Sequence, residues 1–176
     1  MELVAPSAVY KDSFIEAVTE FKANPDCSME AAYYKTLSLE LLASDFDAFT
    51  EEKISHARGE NLPENYVPDT ELWLVDQGTF IGEVRIRHYL NEHLMQIGGH
   101  IGYDIRPSKR QRGYGSTILA LALPKAKELG IERVLVTCDE TNLGSKKIIE
   151  KNGGVLEGRE VNPETGTAKL RFWINT

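Results

Sequence analysis

One segment narrows the folds open to this chain more than any other: Ile105-Arg-Pro-Ser-Lys-Arg-Gln-Arg-Gly-Tyr-Gly-Ser-Thr117. An apolar strand stops at Pro107, a basic loop follows, and Gly113 and Gly115 open a helical stretch that Gly130 ends. Glycines at such a junction let backbone N–H groups approach a ligand with no Cβ in the way. Those groups stand at a helix N-terminus, where the macrodipole places about half a positive charge. Ser116 and Thr117 add hydroxyl donors, and Arg106, Lys109, Arg110 and Arg112 add formal charge. A pyrophosphate suits this nest. A Walker loop needs a lysine after the second glycine, where Ser116 stands. A dinucleotide fingerprint needs a third glycine at 118, which is Ile118, and belongs after the first strand of its fold. The plain structural alternative is a tight loop with solvated arginines.

Around this segment the hydrophobic period changes once. Residues 2–5 read as a short strand. Helical spacing follows from Pro6-Ser7 to Phe21, with Phe14, Ile15, Val18 and Phe21 on one face. A turn over 22–28 contains Asn24-Pro25-Asp26. From Ser28 to Gly59 the pattern is helical but interrupted: Tyr33, Tyr34, Leu37, Leu41 and Leu42 form one stripe, and Asp45 starts afresh as an N-cap. From Leu72 onward strands dominate: Leu72–Val75, Phe80–Tyr89, Met95–Ile105 broken by glycines, then Arg133–Thr137, Val155–Val161 and Thr167–Ile174. The last two are joined by Asn162-Pro163-Glu164-Thr165-Gly166, a run of turn formers. Pro124 is expected to kink the helix that starts at Tyr114, and Leu143–Lys151 is a short helix ended by Gly153. The reading is one α/β (α+β) domain over 1–176, with a mixed, mostly antiparallel central sheet flanked by helices.

Composition matters mainly for partners. The net charge of −7 is unevenly spread: residues 1–70 carry 5 Lys/Arg against 14 Asp/Glu, and residues 71–176 carry 15 against 13. The basic cluster is too small for a nucleic-acid surface, which needs a stripe of cations. The acidic first third either is a set of solvated helix faces or favours a cationic partner. The longest strictly apolar run, Ile118–Leu123, falls far short of the ~20 residues a spanning helix needs, so no membrane role is expected. Cys27 and Cys138 lack metal or disulfide spacing, no leader is visible, and the expected compartment is the cytoplasm. His88, His93 and His100 have neither cysteine partners nor helical spacing, so no metal site is expected.

Arg110-Gln-Arg-Gly113-Tyr-Gly115 resembles the (Q/R)-x-x-G-x-(G/A) signature of the GNAT superfamily of N-acetyltransferases. The preceding strand Ile101-Gly-Tyr-Asp-Ile-Arg-Pro107 resembles the family's central strand. Thr141-Asn142-Leu-Gly-Ser145-Lys-Lys-Ile-Ile149-Glu-Lys151-Asn-Gly153 is similar to its next helix. The resemblance implies an acyl-CoA N-acyltransferase-like fold, with residues 71–176 as the sheet and acetyl-CoA core and residues 1–70 as the variable acceptor side. It implies acetyl-CoA as donor, its pyrophosphate on the amides of Gln111, Arg112, Gly113, Tyr114, Gly115 and Ser116, with Arg110 and Thr117 also in the cofactor site. The pantetheine arm would pair with the strand near Tyr103 and Ile105, and the Tyr103 amide would polarise the acetyl carbonyl. Asn142 and Ser145 would face the pantetheine, although Asn142 is equally a good N-cap.

Two positions depart from the family pattern. The tyrosine that commonly protonates the leaving thiolate is Ile149, leaving Tyr103 or Tyr114 as substitutes, and Gly154 stands where the family often has Phe. The position of the glutamate base used by some members falls on Gly99. A neutral amine must attack, and freeing a lysine-like amine of its proton at pH 7 costs about 4–5 kcal/mol, so a base is expected. Glu83 and His100 are the candidates. Glu83 has an ordinary alternative in pairing with Arg85 or Arg87, and His100 in a simple hydrogen bond. The expectation is an acetyl-CoA-dependent transferase acting directly on a primary amine of a small molecule or peptide. The alternatives are a CoA-binding or interaction module without turnover and a nucleotide-binding protein of another fold. A homodimer is compatible with the C-terminal hairpin and its Phe172 and Trp173.

Overall fold

Two β-branched and aromatic runs separated by Gln77-Gly78 fold back on each other first. Both turn residues take positive φ, 49° and 77°, which gives the tight reversal matched to strand twist. The computed structural model describes residues 1–24, 29–161 and 166–176. The reversal joins β2 (Asp69–Asp76) to β3 (Thr79–Arg87). β1 (Glu2–Val4) pairs with β2, and β4 (Ile101–Ile105) pairs with β3, giving an antiparallel sheet in the order β1-β2-β3-β4. A second antiparallel sheet has the order β5-β7-β6, from β5 (Arg133–Asp139), β6 (Val155–Val161) and β7 (Ala168–Asn175). The turns expected over 22–28 and 162–166 fall largely on residues outside those described.

The two sheets meet at one end only. Gly99 bridges Val136, and the His100 amide donates to the Leu135 carbonyl at 2.7 Å. Beyond that point β4 and β5 form no ladder, and the gap between them opens. The strand expected to begin at Met95 starts only at Ile101. Asn91 Oδ1 accepts the Leu94 amide at 2.9 Å and starts a helical turn over Leu94–Gly98 instead. Gly99 then takes φ 68°, ψ −177°, a backbone region that essentially only glycine enters.

Helices cover both faces of the first sheet. α1 (Lys11–Ala23), α2 (Met29–Thr36), α3 (Leu39–Ser44) and α4 (Phe46–Ser55) pack around Trp73 and Phe80. Phe14 stacks on Trp73 with ring centroids 4.7 Å apart. α5 (Tyr114–Glu128) and α6 (Leu143–Lys151) enclose the other core, with Ile118, Leu119 and Ile149 packed against Leu74, Val84, Val136 and Phe172. The expected stripe across α2 and α3 is broken: Tyr34 and Leu42 are buried while Leu41 is exposed. Ser38 caps the Leu41 amide and restarts the helix, which resets its phase. Asp45 caps α4 as its sequence suggests, accepting from Ala48 N at 3.2 Å. α5 runs on through Pro124; the Ala120 carbonyl that loses its partner belongs to an exposed residue, where water can serve it.

The loop after β4 is tied to α1. Arg106 is buried and gives Nε to Glu20 Oε1 at 2.7 Å and Nη2 to Glu16 Oε2 at 3.0 Å. Glu20 also accepts from Ser108 N at 3.0 Å. One of the four clustered cations is therefore engaged by two N-terminal carboxylates, a trio with one net negative charge. A Cβ at Gly99 would lie 2.5 Å from the Leu135 carbonyl oxygen, on top of the backbone strain. Gly99→Ala is expected to lower stability by at least about 1–3 kcal/mol, read as a lower urea midpoint; an unchanged midpoint would show that the junction tolerates a side chain.

Candidate active site

Where β4 and β5 part, a cleft of about 620 Å³ opens. Its walls are β4, the start of α5, the end of β5 and the start of α6. Backbone direction on β4 follows from two bonds: Arg87 N donates to His100 O at 2.8 Å, and Arg106 N donates to Ile81 O at 2.9 Å. Even-numbered residues thus pair with β3, and by strand alternation Ile101, Tyr103 and Ile105 turn their amides and carbonyls toward the cleft. Arg110 Nε takes the Ile105 carbonyl at 3.0 Å, as that direction requires.

At the mouth of the cleft the chain turns into α5. Gln111 takes φ 59° and Gly113 φ 87°. Among the described residues no backbone or side-chain acceptor takes the amides of Gln111 to Ser116; the first internal bond is Thr117 N to Gly113 O at 3.2 Å. Gln111, Gly113, Gly115 and Ser116 line the cleft. A Cβ on Gly113 would meet nothing within 4 Å, whereas one on Gly115 would lie 2.5 Å from Ile148 Cδ1. The first glycine keeps the ligand side open, and the second lets α5 and α6 approach. A row of free amides at a helix N-terminus fits a diphosphate.

Tyr103, Ile105, Arg110, Asn142 and Ser145 also line the cleft. Arg112, Tyr114 and Thr117 do not; Tyr114 packs against the core, and Thr117 Oγ1 donates to Gly113 O at 3.4 Å. Asn142 Oδ1 accepts the Ser145 amide at 2.9 Å, so its oxygen is engaged as the α6 N-cap. Thr137, Cys138, Asp139, Arg87 and Ile148 line the cleft too, and sequence reading missed them. For the residues at the end of β5 the one sequence signal, a buried-type strand over 133–137, does not say that this strand's edge stays unpaired.

Behind β4 lies a smaller recess of about 110 Å³, lined by Tyr33, Glu83, Arg85, Arg87, Gly102, Tyr103 and Asp104. The last four line the cleft as well, so β4 is a shared wall. Glu83, opposite Asp104 in the β3–β4 register, is buried. Its Oε2 has no hydrogen-bond partner, and Oε1 stands 4.0 Å from Arg85 Nε. Burial and the neighbouring Glu71 carboxylate push the Glu83 pKa up to about 7, against Arg85 and Lys53.

His100 is placed differently. Its Nδ1 accepts the Leu135 amide at 2.9 Å, and it lines neither cavity. Burial and the Arg87 guanidinium push its pKa down to about 4. It joins the sheets, and the geometry leaves Glu83 as the better-placed of the two candidate bases.

The family model described as the acetyltransferase (GNAT) domain matches residues 10–155. The chain belongs to the GNAT acetyltransferase family. A relative from Bacillus subtilis (strain 168), the N-acetyltransferase YnaD, is 28% identical over 111 residues; the match spans 62% of each chain. Two solved structures share the fold with TM-scores of 0.70. The microcin C7 self-immunity acetyltransferase MccE, in complex with acetyl-CoA and AMP, is 14% identical, covering 99% of this chain and 91% of that one. RimL, the ribosomal L7/L12 alpha-N-protein acetyltransferase in complex with coenzyme A, is 18% identical, covering 98% and 92%.

The two departures from the family pattern lie in contact. Ile149 is fully buried, and a Cβ on Gly154 would lie 2.4 Å from Ile149 Cγ2 and 2.9 Å from the Ile149 carbonyl oxygen. Side chain and backbone at 149 together occupy the space that a side chain at 154 would need. Across the cleft, Tyr103 Oη and Ser145 Oγ are hydrogen-bonded at 2.9 Å, four residues before Ile149 on α6.

His100 has a folded pKa of about 4, below the ordinary value of 6.5, so the fold favours the neutral ring. The stability this contributes is complete above pH ~6.5 and is lost as pH falls through about 4. NMR titration of the His100 ring is expected to show no protonation down to pH ~5; a midpoint near 6.5 would contradict the placement.

Proposed function

We propose that the protein transfers an acetyl group from acetyl-CoA directly to a primary amine of a small molecule or peptide. The observation that carries this reading is the shared wall. A cleft with unengaged amides at a helix N-terminus lies on one side of β4, and a recess lined by a buried carboxylate with one orphaned oxygen lies on the other. Donor and acceptor can therefore occupy the protein together. Acetyl-CoA supplies an acyl group activated as a thioester.

The chain's own residues divide the remaining work. The amides from Gln111 to Ser116 hold the diphosphate, with Arg110 beside them. The Tyr103 amide donates to the carbonyl oxygen on which negative charge develops, an interaction worth about 3 kcal/mol at such sites. Glu83 takes the proton of the attacking amine, which arrives as a cation. A base near pH 7 suits amines of modest basicity: the transfer from an α-amine of pKa ~7.8 is uphill by about 1 kcal/mol, against about 5 kcal/mol from a lysine-like amine. Tyr103 Oη, linked to Ser145, is the hydroxyl we assign to the departing sulfur; Tyr114 lies outside the cleft.

Direct transfer is favoured over a covalent route through the enzyme. Cys138 lines the cleft, but burial and Asp139 push its thiol up to about 11, which keeps it protonated and poorly nucleophilic.

Gly113→Glu places a carboxylate among the amides and is expected to weaken CoA binding at least tenfold by calorimetry; equal affinity would remove the loop from the site. Thiol release above background with any of a panel of amines separates a transferase from a binding module, which would give none. For Glu83→Gln, kcat/KM is expected to fall about 10²–10⁴-fold with CoA affinity retained. Because the folded pKa is raised, wild type loses stability as pH rises from the carboxyl's ordinary 4.5 through about 7. Glu83→Gln lacks that loss, so at pH ~8 its melting temperature is expected to match or exceed wild type. A fall there would mark Glu83 as structural.

A further inference from the structure

Glu83 shares the face of the first sheet that buries Trp73 with Glu71, Asp69 and Asp104. Glu71 lies diagonal to it across β2 and β3, where Glu71 opposes Arg85 and Trp73 opposes Glu83. Two cations lie among them. Lys53, from α4, places Nζ 3.1 Å from Glu71 Oε2, and Arg85 places Nη2 3.2 Å from the same oxygen. The nearer cation contact of Glu83 is the 4.0 Å approach of Arg85 Nε. Both cations are committed to Glu71.

The commitment is built into the acceptor-side core. Trp73 Nε1 donates to Glu71 Oε1 at 3.0 Å, and the Trp73 ring is stacked on Phe14 and edge-on to Phe80. Glu71 thus has a hydrogen bond at Oε1 and two ion pairs at Oε2. Lys53 sits over the Tyr33 ring at 4.2 Å, and Tyr33 lines the recess that Glu83 lines.

We infer that Glu71 is a positioning residue of the transfer site: by holding Lys53 and Arg85, it leaves Glu83 facing the acceptor recess without a close cationic partner. The inference rests on the reading of Glu83 as the base. Without the Glu71 charge, Lys53 and Arg85 are released toward Glu83. The carboxylate would then be ion-paired, a weaker base, and shielded from the amine. The groups facing Glu83 and its cations are Tyr33 and Tyr34 from α2, Lys53 from α4, Asp69 and Glu71 from β2, Arg85 and Arg87 from β3, and Asp104 from β4. Among the carboxylates, Glu71 carries the close contacts to both cations. Despite burial it is held below the usual carboxylate range by Lys53 and Arg85.

The experiment is a carboxyl-carbon NMR titration of wild type and Glu71→Gln, alongside the pH dependence of kcat/KM for acetylation. In wild type the Glu83 midpoint is expected near 7, with Glu71 ionised throughout. In Glu71→Gln the Glu83 midpoint is expected to fall by about 1 pH unit or more, and the acidic limb of kcat/KM to follow it. Glu71→Asp, which keeps the charge, is expected to stay closer to wild type. A Glu83 midpoint unmoved in Glu71→Gln overturns the inference. If that variant does not fold, the wild-type titration still decides, because Glu71 taking up its proton at higher pH than Glu83 overturns it too. If the midpoint moves while the rate profile does not, the hold of Glu71 on Glu83 stands and the reading of Glu83 as the base falls.

Discussion

The junction at Gly99 sets the geometry on which the rest depends. Two antiparallel sheets are fastened there by the Gly99–Val136 bridge, the His100 amide on Leu135 O, and the Leu135 amide on His100 Nδ1. Right-handed twist carries neighbouring strands apart in direction, and this short fastening, backed by the core that α5 shares with both sheets, keeps β4 beside β5. Past it, the facing edges of β4 and β5 form no ladder with each other. Exposed strand edges normally invite another strand. Here they line a cleft whose far end is filled by the start of α5, and an extended ligand with its own amides can take the place of the missing strand.

The fastening also explains why the anion site lies where it does. β4 is five residues long, and the chain leaves it through Arg106, which is drawn into α1 by Glu16 and Glu20. That tether fixes where the loop turns and aims the first amides of α5 back over the open edge. The acidic N-terminal helices thus have a structural task at two of their carboxylates. Their collective charge is a weaker guide to the acceptor than the individual groups in the recess.

Much of this was legible in the residues, and the failures have physical reasons. Gly113 and Gly115 announced the turn into α5, and Asn142, Leu143–Lys151 and Gly153 announced α6, because caps and glycines act locally. Met95–Ile105 read as one strand, because the Asn91 cap and the Gly99 conformation that divide it carry no hydrophobic period. The α2–α3 stripe failed at Leu41, since an N-cap at Ser38 resets phase in a way that a count of apolar spacing misses. Glu83 and His100 looked alike as candidate bases. What separates them is tertiary: His100 faces the neighbouring strand and Glu83 faces a recess formed by α2, β3 and β4. The cleft residues of β5 were hidden for the same reason, since a strand's sequence does not say which edge is left unpaired.

The buried charges beside the recess are hard to explain as a stabilising device. Lys53, Glu71, Arg85 and Glu83 carry opposite charges in equal number, yet each loses hydration that an interior ion pair seldom fully replaces. Well-packed apolar side chains of similar size would serve the core at least as well. Their contacts are also unequal. Glu71 accepts from Trp73 and has Lys53 and Arg85 within 3.2 Å, while the nearer of the two cations to Glu83, Arg85, stays 4.0 Å away. A network shaped for stability would share its cations evenly. An uneven one costs stability at the underserved carboxylate and makes that group basic. In the proposed transfer, its place against the wall shared with the cleft is where the attacking amine loses its proton.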